Sequence, residues 1–481
     1  MSGWKVWAVV GIACVFGLGC AHIEAPVAER DLSAFDQTAL DRYIAEDDPS
    51  YEYTVVDTIL GDGYTGYIID MVSQEWRSPD EVDRTTWRHW LLAAVPDQVE
   101  HSTGLLFIGG GSNNGETPSS VPGQVVQAAQ LSNSVAAELR TVPNQPLTFA
   151  GDRPRWEDAL IAYTWDKFLR GGDDYWPARL PMTKAAVRAM DAIEDLTASA
   201  DVSDQAVEHF TVVGGSKRGW TTWTAAAVDN RVRAFVPAVI DLLNIEPSFV
   251  HHYAVYGFWA PAVGDYEEMN LMAWMGHPAN QELMDIVEPY SYLERYVQPK
   301  FIVNSTGDQF FLPDSSQFYY DDLIGEKLLR YVPNTDHGLG GSDAMEVMLT
   351  YYAMILNDIP RPEYSWTVTD DHAIRVETET EPTEVRLWQA SNPEARDFRL
   401  MTIGDAWEST VLESEGGGVY VGRVDEPESG WTAFMVELTY PGYGPHPLKV
   451  TTEVHVVPDV LPYADEVRDV LPYIDNIDYE F

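Results

Sequence analysis

Cysteine is nearly missing: the 481 residues hold two, Cys14 and Cys20, both within the first twenty positions. The body of the chain can therefore carry no disulfide framework and must be held by apolar burial. Basic residues are scarce as well, 30 Lys plus Arg against 76 Asp plus Glu, for a net charge of −46, and only seven of the 30 are Lys. Such a field repels nucleic-acid phosphates and argues against a nucleic-acid partner. The acids are spread along the chain rather than gathered in a block, apart from the last few residues. That is the balance of a halophilic surface, kept soluble where salt screens like-charge repulsion. Long apolar runs are lacking too, and the one at the amino terminus is too short to span a bilayer. What is plentiful is core material: 45% apolar and 12% aromatic residues, with 16 Trp and 25 Tyr. The length fits two or three domains.

Residues 1–20 read as an export signal, with Lys5 near the start, then apolar residues without acid, then small residues before Cys20. Phe16-Gly17-Leu18-Gly19-Cys20 resembles a bacterial lipobox, with Gly17 where Leu is usual. Cleavage there would remove Cys14 and leave Cys20 as the lipidated first residue. The alternative is ordinary signal cleavage with an incidental cysteine. Ala21 rather than Asp follows, which in the lipoprotein pattern indicates the outer membrane. The expected location is the bacterial envelope, as an outer-membrane or periplasmic lipoprotein whose membrane contact is the lipid anchor.

Residues 21–50 read as linker with a short helix. From 51 to 360 the pattern is that of an α/β domain. Tyr53–Leu60, Thr65–Arg77 and Thr85–Val95 look like antiparallel strands split by Gly-Asp-Gly and Ser-Pro-Asp. Leu105–Ile108 is a short apolar strand. Val121–Leu139, Glu157–Leu169 and Lys184–Leu196 carry helical spacing. Strand-like runs return at Phe210–Val213, Ala234–Ile240, Phe301–Asn304 and Leu328–Val332, each before a helical segment, which predicts a mostly parallel sheet covered on both faces. Residues 246–298 interrupt this rhythm with aromatics and Met at helical spacing, a cap insertion or extra core helices. After Pro360-Arg361-Pro362, residues 361–457 hold about eight alternating runs, Phe398–Ile403 among them, which predicts an all-β sandwich. An acidic tail, 458–481, repeats Asp-Val-Leu-Pro-Tyr at 459 and 469.

The chemistry gathers at strand ends. Phe210-Thr-Val-Val-Gly214-Gly215-Ser216-Lys217-Arg218-Gly219-Trp220 is an apolar strand, a Gly-flanked Ser and a helix beginning near Trp220. Such a turn exposes a nucleophile, although Arg218 stands where the usual elbow has Gly. Asp308 follows a strand 92 residues downstream, and His337 ends the next strand 29 residues further on. The order Ser, Asp, His, each beyond a strand, is that of α/β-hydrolases. His337 would take the proton of Ser216, and Asp308 would hold the imidazole. Gly109-Gly110-Gly111 follows a strand where this fold supplies backbone N–H groups, so Gly110, Gly111 and the N–H of Lys217 are the expected oxyanion hole. Asp241 is the main alternative acid, with Asp314 and Asp336 behind it. His251, His252 and His277 lack carboxylates at metal-site spacing, so neither a metal nor another cofactor is expected. Lys217 and Arg218 either favour an anionic substrate or pair with local carboxylates, the second fitting so acidic a chain better.

Ser216-Lys-Arg-Gly-Trp-Thr-Thr-Trp223, Pro237-Ala-Val-Ile-Asp241-Leu-Leu-Asn244, Asp308-Gln-Phe-Phe-Leu-Pro-Asp314 and Tyr331-Val-Pro-Asn-Thr-Asp-His337 resemble the PhoPQ-activated pathogenicity-related family, which includes autocrine proliferation repressor proteins. The likeness spans roughly residues 45–460. It implies an α/β-hydrolase domain with a β-sandwich appended, and a link to envelope defence or virulence in bacteria or to growth-inhibitory signals in amoebae. Ser216, Asp308 and His337 fall on its motifs, and Arg218 belongs to the family pattern. The expected activity is serine hydrolysis of an ester or amide in a small molecule or peptide, through an acyl-enzyme. The alternative is a non-catalytic binding or signalling protein on the same fold. The oligomeric state stays open.

Overall fold

Period-two alternation decides which side of the central sheet each strand residue serves. In β3, Leu91, Ala93 and Val95 join one buried cluster, and Leu92 and Ala94 join a second on the opposite face. The computed structural model describes residues 30–479, so the expected export signal and Cys20 lie outside the described residues. Before the sheet, α1 (Ala39–Ala45) is closed by a Thr38/Asp41 capping box and buries Leu40 and Tyr43. The core thus begins within the segment read as linker.

The sheet contains β1 (Glu52–Leu60), β2 (Tyr64–Glu75), β3 (Thr86–Pro96), β4 (Thr103–Ile108) and β5 (Ala136–Leu139). A separate ribbon pairs β6 (Leu147–Thr148) with β7 (Pro154–Arg155). The sheet continues with β8 (His209–Gly215), β9 (Val232–Ala238), β10 (Lys300–Ser305) and β11 (Lys327–Val332), in the order β1-β2-β3-β5-β4-β8-β9-β10-β11. The first three strands pair antiparallel, β3 meets β5 antiparallel, and every later pair is parallel. Parallel strands are buried on both faces, which is why all seven residues of β9 and all six of β10 are inaccessible.

Helices α2 (Gly123–Ser132) and α9 (Ala344–Leu356) cover one face. On the other lie α3 (Glu157–Leu169), α4 (Arg179–Thr197), α5 (Lys217–Val228) and the 246–298 insertion with α6 (Ile245–Tyr256), α7 (Gly264–Glu268) and α8 (Pro278–Val287). This is the α/β-hydrolase arrangement with a helical cap. Each Val, Leu or Ile buried in these layers contributes about 1.5–3 kcal/mol.

Two sequence expectations change here. Val121–Leu139 is not one helix: α2 stops at Ser132, Asn133 adopts φ 48° as a left-handed cap, and Ala136–Leu139 forms β5 between β3 and β4. Ala-Ala-Glu-Leu favours helix, but burial between two strands overrides local propensity. Phe398–Ile403 holds the short helix α10 (Leu400–Ile403), not a strand. The sandwich forms from a sheet β12-β13-β16 facing a sheet β15-β14-β17-β18, with β19 also on β17. These strands are β12 (Tyr364–Val368), β13 (Ile374–Thr378), β14 (Glu384–Asn392), β15 (Glu408–Val411), β16 (Val419–Gly422), β17 (Trp431–Tyr440), β18 (Leu448–Thr451) and β19 (His455–Val457). Ile374 and Val376 meet Leu387, Phe434 and Val436 in its core. The acidic tail is built into the core: around α11 (Val467–Val470), Val467 and Leu471 are fully buried, and the Tyr463 N–H donates to the Ala254 carbonyl of α6 at 2.8 Å.

Candidate active site

Ser216 occupies the β8–α5 turn at φ 58°, ψ −127°, a region that costs an L-residue on the order of 1–3 kcal/mol. The turn persists because the surroundings leave no alternative. A Cβ on Gly214 would lie 2.4 Å from the Arg218 carbonyl oxygen, and one on Gly219 would lie 3.0 Å from the Ala238 carbonyl oxygen. Gly219, one place later than the usual elbow glycine, thus allows the close approach of helix to sheet, which frees position 218 for a large side chain. The Ser216 N–H donates to the Ala238 carbonyl at 2.8 Å, locking the turn to the end of β9. Helix α5 begins at Lys217, three residues before the expected start, because the strained turn is only one residue long.

The basic pair after the serine is neutralised locally. Lys217 Nζ lies 3.0 Å from Glu157 and 3.0 Å from Asp158, and Arg218 lies 2.7 Å from Glu157. Although burial favours its neutral form, Glu157 is held down at about 2 by Arg218 and Lys217. Arg218 Nε also donates to the Val142 carbonyl at 2.5 Å, and its guanidinium covers Gly110, where a Cβ would lie 2.7 Å from Nη2. Gln145 donates to the Gly111 carbonyl at 3.0 Å and to Glu157. The Gly110 carbonyl accepts from Thr141 at 2.9 Å. The glycine loop is therefore tied to the elbow through one network. Gly111, at φ 146°, would place a Cβ 3.0 Å from Thr141 Oγ1, so glycine is required there.

Asp308 and His337 come together from the loops after β10 and β11. His337 Nδ1 donates to Asp308 Oδ2 at 2.7 Å, and Asp308 Oδ1 accepts from the Phe310 N–H at 2.8 Å. The imidazole packs on Phe310, with centroids 4.4 Å apart, and its buried Nε2 has no hydrogen-bond partner among the described residues. The C-terminal region braces both loops: the Leu400 N–H donates to the Gly307 carbonyl at 3.0 Å, and the Asn334 side chain exchanges two 2.9 Å bonds with the Trp407 backbone.

The other acids have different partners. Asp241 accepts from Tyr319 at 2.6 Å and Tyr331 at 2.5 Å, and burial pushes it up to about 8 against those two bonds. Asp314 pairs with His251 at 3.1 Å and Arg396 at 2.9 Å, which hold it far below the usual carboxylate range in spite of burial. Asp336 receives the Gly338 N–H at 2.8 Å. His252 Nε2 accepts from the Ala260 N–H at 3.0 Å, and His277 Nδ1 caps α8 by accepting from Ala279 at 3.1 Å. These histidines are engaged in separate structural contacts.

A cavity, part of it open to solvent, is lined by Ser216 and Lys217 together with residues of the 246–298 insertion. Its walls include Trp165, Trp220, Phe249, Met272, Phe310 and Phe311, so residues of the 246–298 insertion share a cavity with the serine while also packing on the core. Gly110, under Arg218, and Gly111, against Thr141, are not in its wall. Sequence reading missed Asp158 and Arg179, which line it. The only signal was the adjacent acids that open α3, opposite the basic pair after Ser216.

Residues 40–399 match the family model described as PhoPQ-activated pathogenicity-related protein. The chain is 36% identical over 458 residues to autocrine proliferation repressor protein A of Dictyostelium discoideum, covering 89% of this chain and 92% of that one. Among solved structures it is similar to acetyl xylan esterase 1 from Thermoanaerobacterium sp. JW/SL YS485, at 14% identity and TM-score 0.46, over 66% of this chain and 92% of that one. An acetyl xylan esterase from Paenibacillus sp. R4 aligns at 14% identity and TM-score 0.45, over 69% and 97%.

Proposed function

Because the chain belongs to the PhoPQ-activated pathogenicity-related family, whose name states a biological setting and no reaction, we propose its chemistry from the site: a serine hydrolase that cleaves an ester or amide through an acyl-enzyme. The observation that carries this is a strained Ser216 in the wall of an apolar cavity, with the Asp308–His337 pair seated on the Phe310 that lines the same cavity. In this reading Ser216 Oγ attacks the carbonyl carbon and His337 Nε2 takes its proton. Asp308 fixes the Nδ1–H tautomer and stabilises the imidazolium. The N–H of Lys217, which has no intrahelical partner at the first position of α5, receives the oxyanion with those of Gly110 and Gly111. Collapse expels the leaving group with the proton held by His337, and water then releases the acyl group by the same route.

A second reading, a non-catalytic binding or signalling protein, is favoured by the unpartnered His337 Nε2 and by the growth-repressor name of the relative. One experiment separates the two. A fluorophosphonate probe should label the pure protein at Ser216, and Ser216→Ala should abolish labelling with the fold intact. No labelling of the wild type supports the binder; undiminished labelling of the variant moves the nucleophile elsewhere.

We further propose export and anchoring at Cys20, in the bacterial envelope, with a role in envelope defence. Acyl chains contribute about 0.8 kcal/mol per buried CH₂, enough to hold an acidic protein on a membrane. Cys20→Ser should release the protein into the soluble fraction. An unmodified mature terminus at another residue, seen by mass spectrometry, would remove the anchor.

A further inference from the structure

The polar side chains in the wall of the cavity are Asp158, Arg179, Ser216, Lys217, Tyr266 and Asn280. Most are engaged. Asp158 accepts from Tyr266 at 3.1 Å and pairs with Lys217 at 3.0 Å, and Asn280 donates to Glu246 at 2.7 Å. Arg179 is different. One of its amino groups donates to the Lys217 carbonyl at 2.9 Å, and its guanidinium lies 4.2 Å over the Trp220 ring, but its buried Nε has no hydrogen-bond partner. Asp158 is near enough to attract it, but among the described residues no carboxylate closes to ion-pair distance. Trp165, whose ring stands 5.8 Å from that of Trp220, also lines the cavity with a buried, unpartnered Nε1–H. Two donors on residues of one cavity wall thus lack acceptors among the described residues.

The charge balance points the same way. Lys217 and Arg218 are matched by Glu157 and Asp158, so Arg179 is a further cation beside them within a chain of net charge −46. Burial pushes Arg179 down to about 10, Arg218 adds to the fall, and Tyr266 and Asp158 oppose it. We infer that this cavity takes an apolar ester or amide bearing one carboxylate, held by Arg179 and the Trp165 indole. A carboxylate offers the acceptors both donors need, and an arginine can bind it through two parallel bonds. Since Arg179 bonds to the residue that follows Ser216, the carboxylate lies a few bonds from the scissile carbonyl, not at the end of a long chain. The aromatic and Met walls take the apolar part. Which bond is cut rests on the serine-hydrolase reading; the anion site does not.

Two sources share this chemistry: a half-ester of a dicarboxylic acid, with the anion on the acyl side, and an N-acyl apolar amino acid, with the anion on the leaving group. The binding test uses Ser216→Ala in about 0.5 M NaCl, which screens the overall negative field. Calorimetry should show 4-phenylbutyrate binding at least tenfold more tightly than 4-phenylbutan-1-ol, and adding Arg179→Met should erase that preference. Equal or tighter binding of the alcohol overturns the inference, as does a preference that survives Arg179→Met. Should the double variant not fold, Asp158→Asn removes a competing anion and should tighten 4-phenylbutyrate severalfold; an unchanged affinity overturns the inference. With the wild type, 4-nitrophenyl hemiglutarate against 4-nitrophenyl pentanoate, and N-hexanoyl-phenylalanine against its amide, place the carboxylate on the acyl or the leaving side by whichever pair shows preference in kcat/KM. Turnover without preference in either pair overturns it. Carboxylate binding with no turnover and no fluorophosphonate labelling sinks the hydrolase reading and leaves the anion site standing.

Discussion

Two carboxylates stand beyond neighbouring parallel strands, Asp241 after β9 and Asp308 after β10, and both are buried. Asp241 sits between two tyrosine hydroxyls and is pushed up to about 8, whereas Asp308 holds an imidazole at 2.7 Å. The same residue type at equivalent places in the sheet thus has two different neighbourhoods. The difference teaches that position at a strand end makes an acid available, and the partner that the next loop brings decides what it can do. Tyr331 lies inside β11 and points Asp241 toward a structural role, while His337 lies five residues beyond β11 and reaches Asp308.

The widest separation between the two acids should appear in turnover. Asp308→Asn is expected to lower kcat on a chromogenic ester by about 10⁴, through the wrong imidazole tautomer, and Asp241→Asn by less than tenfold. Steady-state kinetics on both variants checks this, and the reverse pattern would hand the catalytic role to Asp241. Next in size is stability. Tyr331→Phe removes one of the two bonds to Asp241 and should cost about 1–3 kcal/mol in urea unfolding, with kcat within about threefold of wild type. A large kcat loss without destabilisation would break the division between structural and catalytic acid.

A smaller effect concerns pH. Burial pushes Asp241 up to about 8 in the folded state, against 3.8 for an ordinary aspartate, so between about pH 4 and pH 8 the native protein retains a proton that the unfolded chain has released. Stability from this group is therefore fully present at low pH and declines as pH rises through that window. Asp241→Asn carries no such proton, and its melting temperature should fall less steeply from pH 5 to pH 8 than that of the wild type. Glu288, pushed up by burial to about 8, and Glu453, to about 7, give the remaining slope the same sign. Parallel curves for variant and wild type would mean that Asp241 is ionised throughout. The smallest difference should come from salt. Screening falls from about 30 Å at 0.01 M to about 3 Å at 1 M, so the melting temperature should rise with NaCl because 76 acids face 30 bases. That rise should be nearly equal in wild type and Asp241→Asn, since a buried acid is little affected by bulk ions. A flat or falling profile would sink the saline-surface account and leave the two acids untouched.

Much of the candidate site was legible because its residues obey local rules. Gly-Gly-Ser before an amphipathic helix, an acid after an apolar strand and a histidine after the next strand each follow from turn chemistry and strand periodicity. Arg218 looked like an objection and is not one, because close approach is needed at Gly214 and Gly219 and its own side chain lies across Gly110. Less legible was β5, whose four residues prefer helix in isolation, and the tail, whose acidic composition hid Val467 and Leu471 in the core.

By itself, the amino-acid sequence determined the alternation that builds a two-faced sheet, the sandwich that follows it, the acidic surface and the short menu of serine, acids and histidine able to do chemistry. These are properties of neighbours along the chain, set by periodicity, turn preference and net charge. Only the tertiary structure decided that Asp308 rather than Asp241 meets His337, that Lys217 and Arg218 are neutralised by the start of α3, and that the Arg179 Nε lines up with no hydrogen-bond acceptor among the described residues. Pairings of this kind join residues tens to hundreds of positions apart, and a Coulomb or hydrogen-bond partner acts through a few ångströms of space, a distance that no local pattern in the chain encodes.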